Sequence, residues 1–194
     1  MKKIILISSL LSSMVFASVG YASEWGCQVL LCLSNPAGPE AVSECVPPIE
    51  KLWDALEDGD PFPSCDEMGS SGSSNYGNHV WASGNYCHPD LITYTNVFTG
   101  MFSCKARGAV NVVINGQPNT RVWWGVPSST GVNGRTTLLE TTQAMPGVTP
   151  APLVNPATAK QTYIQKNGCN NAGILGLNSG KCPAQNTGIM GFGF

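Results

Sequence analysis

The chain has 194 residues, eight cysteines, a formal net charge of −2 and 11% charged residues. That length suffices for one domain with a core of its own. No Lys/Arg stripe is present, which argues against a nucleic-acid partner.

Residues 1–22 read as a signal peptide. Lys2 and Lys3 precede an apolar run from Ile4 to Val19 broken only by serines, and Gly20-Tyr21-Ala22 supplies small residues for cleavage after Ala22. The run is short for a transmembrane anchor, and Cys27 lacks a lipoprotein-type context, so no stable membrane anchor is expected after cleavage. All eight cysteines then fall in the exported part: Cys27, Cys32, Cys45, Cys65, Cys87, Cys104, Cys169 and Cys182. An even count in an exported chain predicts a disulfide framework. No Cys-x-x-Cys pair occurs, which removes the thioredoxin-like reading and weakens a zinc site. Cys87-His88, with His79 nearby, is the one mixed cluster. Neither a metal nor a cofactor is expected.

Residues 24–67 of the expected domain (23–140) read as helical. Gly26 to Leu33 is a compact apolar run, Ser34 to Pro39 breaks it, and Glu40 to Cys45 has room for a further turn. Pro47-Pro48 then opens a helix with Ile49, Leu52, Trp53 and Leu56 on one face, expected to be buried. Glu50, Asp54, Glu57 and Asp58 fall on the other face, and their plain reading is solvation rather than acid–base chemistry. Charge is uneven: ten acids face Lys51 alone between Ser23 and Glu67, while seven Lys/Arg face Asp90 and Glu140 from Met68 onward. Two halves that attract each other are the simplest reading.

Residues 67–76 are Gly/Ser/Asn-rich and read as a loop or linker, without a nucleophile elbow. Residues 79–139 read as a small antiparallel β region. Leu91 to Phe102 is rich in Thr, Tyr, Val and Phe. Ala109 to Ile114 and Thr120 to Trp124 flank a turn-rich loop that begins Asn115-Gly116, a hairpin signal. Alternation sends Trp123 and Trp124 to opposite faces, one into the core and the other either covered by the helical zone, the simpler outcome, or available to a partner. Residues 141–194 are Pro/Gly/Asn-rich, which predicts an irregular segment with Cys169 bridged to Cys182. The fold class expected is therefore α+β, with disulfide-stabilised N-terminal helices before the β region and the irregular tail.

Cys27 and Cys45 lie roughly symmetrically about Asn35-Pro36. A helical hairpin there would pair them and leave Cys32 for Cys65, with the swapped pairing open.

Cys27-Gln28-Val29-Leu30-Leu31-Cys32-Leu33-Ser34, then Glu44-Cys45-Val46-Pro47-Pro48-Ile49 and Phe62-Pro63-Ser64-Cys65, resembles the TrbM/KikA family of conjugal transfer proteins, in its longer TrbM-like form. The specific part covers Cys27 to Cys65, about a fifth of the chain. Tyr86-Cys87 and the stretch from Ala109 to Trp124 resemble it loosely, and the tail after Thr141 does not. The resemblance implies a non-enzymatic accessory of a type IV secretion apparatus in the periplasm, with envelope proteins of the transfer apparatus as partners. It carries over no catalytic residues. Two other readings compete: a cell-wall-modifying enzyme, for which Glu44 and Glu140 are the acids off the polar helix face, and a secreted toxin.

Overall fold

The computed structural model describes residues 24–65, 74–96, 101–131, 134–144, 146–147 and 151–169. The expected signal peptide, most of the Gly/Ser loop and Cys182 lie outside the described residues. The fold is α+β. Helices α1 (Glu24–Leu33) and α2 (Val46–Glu57) come first. Six strands follow among the described residues: β1 (Tyr76–Trp81), β2 (Ile92–Asn96), β3 (Met101–Cys104), β4 (Gly108–Ile114), β5 (Gln117–Pro127) and β6 (Arg135–Thr141). A short α3 (Ala159–Lys166) comes after them.

Strands β1, β4, β5 and β6 form an antiparallel sheet in that order. Between the neighbours β1 and β4 the chain makes an excursion that carries the separate β2–β3 hairpin. Cys87–Cys104 cross-links that excursion, with the Cα atoms 5.6 Å apart. The β4–β5 connection is tighter than the five-residue loop expected. Asn115 (φ 52°) and Gly116 (φ 72°) alone make the turn, and both positive angles match the twist of the flanking strands. Gly116→Val should cost about 1–2 kcal/mol, because a branched side chain is strained in the left-handed region. A lowered urea midpoint with an unchanged slope would show it, and an unchanged midpoint would refute it.

Alternation along the strands splits the core into two clusters. Val110, Val112, Val122 and Trp124 face the helical layer, where Val29, Leu33, Ile49, Leu52 and Leu56 bury their side chains. Ala109 and Trp123 face the other way, against the excursion and Ala159 of α3. Both neighbouring tryptophans are thus buried, one under each layer. Thr120 ties the helical layer down by donating from Oγ1 to the Leu33 carbonyl at 2.7 Å.

The N-terminal pairing is the swapped one. Cys27 bonds to Cys65 and Cys32 to Cys45, with Cα separations of 4.6 and 5.6 Å. The chain from Ser34 to Val42 is not helical and only Ser43–Cys45 forms a 3-10 turn, so Cys45 gets no farther than the end of α1 and meets Cys32. A hairpin centred on Asn35-Pro36 would have needed Cys45 deep in a returning helix. Instead α2 starts beside α1, where Trp25 Nε1 donates to the Pro48 carbonyl at 3.0 Å. The irregular return through Phe62 then brings Cys65 to Cys27. Cys169 is also disulfide-bonded; its expected partner, Cys182, lies outside the described residues.

These bridges fit an exported protein, since the cytosol keeps thiols reduced. Among the described residues no helix is long and apolar enough to cross a membrane.

Candidate functional site, an acidic groove with a tryptophan floor

Helix α2 presents Ile49, Leu52 and Leu56 to the core, but Trp53 departs from the expected burial. It is half-buried at the edge of that face, and its ring stacks on Trp124 with centroids 5.8 Å apart and planes 8° from parallel. Offset stacking of this kind suits the ring quadrupoles. Trp53 Nε1 donates to Glu40 Oε1 at 3.0 Å, which orients that carboxylate.

These groups belong to an open groove of about 490 Å³. One wall is Glu40 together with Glu50, Asp54 and Glu57, the face of α2 read from sequence as merely solvated. The opposite wall comes from the β5–β6 connection and the start of β6, with Thr130, Arg135, Thr136 and Thr137. Glu57 is neutralised, since Arg107 reaches it at 3.3 Å and Arg135 also pairs with it. The acidic and basic halves of the chain therefore meet here. Glu40, Glu50 and Asp54 have no ion-pair partner among the described residues.

The aromatic floor continues to the sheet edge. Trp81 lies 6.0 Å from Trp124 and 4.7 Å from the His79 ring, and is 53% exposed. His79 Nε2 and Trp124 Nε1 are buried without hydrogen-bond partners among the described residues. Both crowd the position that a side chain at Gly108 would occupy, so this close approach requires glycine. Burial pushes the His79 imidazole below its ordinary pKa and favours the neutral ring.

The structure scatters the residues singled out from sequence. His79 sits on the helix-covered face of the sheet. His88 lies near Trp123 on the other, its Nδ1 accepting from the Asp90 N–H at 3.1 Å. Cys87 is consumed by its bridge, so the mixed Cys/His cluster does not assemble. Among the described residues no three His, Cys, Asp or Glu come together as a metal set. Glu44 is exposed, and hydrogen bonds from its backbone N–H and the Ser43 hydroxyl hold its carboxyl below the usual range.

Glu140 is 1% exposed, but far from the groove side of the sheet. Its Oε2 accepts from Trp123 Nε1 at 2.8 Å and from Arg121 Nη1 at 3.2 Å, and its Oε1 accepts from the Val154 N–H at 2.6 Å. Arg121 returns a bond to the Val154 carbonyl at 2.8 Å. The pair clamps the segment after β6 onto the sheet. A carboxylate so fully bonded is committed to structure.

Sequence reasoning missed the groove for an identifiable reason. Its far wall is a loop-and-strand surface that periodicity does not place, and the α2 carboxylates look solvated until that wall is set opposite them. The uneven charge of the two halves was the available signal. Comparisons of the chain with protein-family models, with curated proteins and with solved structures found no match.

Proposed function

We propose that the chain is an exported, non-enzymatic accessory component of plasmid conjugative transfer, acting in the periplasm through contacts with envelope proteins of the transfer apparatus. The observation that carries this reading is the segment Cys27 to Cys65, on which the resemblance to TrbM/KikA proteins rests. It forms a single unit of two helices held by two bridges. That unit supplies the acidic wall of the open groove, so the part that resembles a transfer protein also builds the surface most suited to contact.

A cell-wall-modifying enzyme is the second reading, favoured by carboxylates beside tryptophans in a groove. Glycoside hydrolysis asks for a general acid shielded in an apolar pocket, with a second carboxylate across the scissile bond. Glu50 and Asp54 instead lie along the outer face of one helix, and buried Glu140 is occupied elsewhere. The arrangement therefore supports contact over hydrolysis.

Deleting the gene from its plasmid should lower transfer frequency, and full-length protein should restore it. A copy lacking Met1 to Ala22 should fail, because its bridges would not persist in the reducing cytoplasm. Undiminished transfer by the deletion would sink the proposal. Release of muropeptides by purified protein would replace it with the enzyme reading.

A further inference from the structure

We infer that the groove binds a lysine or arginine side chain presented by an extended basic segment of a partner protein, an inference that deepens and rests on the protein-contact reading above. Three features converge. Glu50 and Asp54 stand four residues apart on α2 without an ion-pair partner among the described residues, an arrangement in which like charges repel. Glu40 faces the same space, already oriented by Trp53. The electron-rich indole of Trp53 then supplies an aromatic surface to which ammonium or guanidinium groups are attracted. A bound cation relieves the repulsion and uses the indole.

Alternative occupants fit less well. The carboxylates do not gather into a metal set among the described residues. A neutral sugar would want a freely exposed indole face; Trp81 has one at the sheet edge but does not line the groove, whereas within the groove Trp124 is 1% exposed and one face of Trp53 is spent against it. A space of about 490 Å³ is more than a lone side chain fills, so flanking peptide enters with it. The threonines of the opposite wall offer hydroxyls to that backbone.

The test titrates the oxidised protein from Ser23 onward with a blocked tri-lysine or tri-arginine peptide, following tryptophan fluorescence and heat. Saturable binding should appear at low ionic strength and weaken as salt is raised. Glu50→Gln with Asp54→Asn should weaken it about tenfold while the melting temperature holds or rises slightly, since both replacements are surface isosteres and their repulsion is relieved. Trp53→Leu should weaken it as well and remove the fluorescence response. Equal binding by the double variant, no binding of either peptide, or binding of an N-acetylglucosamine oligomer in their place would each overturn the inference. The same double variant separates this claim from the functional one. Lost peptide binding with normal transfer would keep the groove's ligand and remove its role in conjugation. Absent peptide binding with a transfer-defective deletion would do the reverse.

Discussion

Arg121→Ala should destabilise the oxidised protein by about 3–5 kcal/mol, because it strands a buried carboxylate. Glu140 would keep its bonds from Trp123 Nε1 and the Val154 N–H, but its one cation among the described residues would be gone. The Val154 carbonyl and Asn111 Oδ1 lose a donor in the same step, since Arg121 serves both. Arg121→Met with Glu140→Leu should recover most of that loss. A buried ion pair replaced by apolar groups of similar size is often neutral, whereas a half-removed pair is not. Urea unfolding of the two variants checks both halves of the argument. A deficit below about 1 kcal/mol for Arg121→Ala would mean that water reaches Glu140, leaving the clamp on Val154 inessential.

What the sequence reveals about this fold follows the range of the interaction concerned. The β4–β5 hairpin was legible because Asn115-Gly116 states its own turn geometry, and the buried stripe of α2 because Ile49, Leu52 and Leu56 recur on one face. Trp123 and Trp124 were assigned to opposite faces by strand alternation alone. Trp53 failed because periodicity fixes direction only to within a fraction of a turn. A residue at the edge of the stripe can be core or rim, and the stack on Trp124 puts it at the rim. Helix α3 was invisible in a Pro/Asn-rich stretch, and what anchors it is tertiary: Ala159 in the core and Tyr163 against the Phe102 ring. Glu140 was noticed as an acid out of place, but its partners come from β5 and from Val154, thirty-three residues beyond Arg121. No local pattern encodes that meeting.

Replacing Cys27 and Cys65 together by serine should cost about 4 kcal/mol, and replacing Cys32 with Cys45 about 3 kcal/mol, on the chain-entropy account of cross-links. The difference arises from loop length, since the two bridges join residues 38 and 13 positions apart. The longer one also holds the end of the helical zone, because the return through Phe62 has little regular structure of its own and rests on Gly77 through the Phe62 ring. Loss of either bridge leaves Ile49, Leu52 and Leu56 packed on the sheet, so each variant should still unfold from a folded state in urea. Loss of both removes about 7 kcal/mol, comparable with the whole stability of many domains. The helical zone should then detach, exposing Trp124 and abolishing the groove whose acidic wall it carries. Pairing can be read independently: chymotryptic cleavage after Leu30 or Leu31 separates Cys27 from Cys32, and unreduced digests should link Cys27 to Cys65. A Cys27–Cys45 peptide instead would restore the hairpin centred on Asn35-Pro36. Each of the two double variants would then break both bridges, so the expected difference between them would vanish.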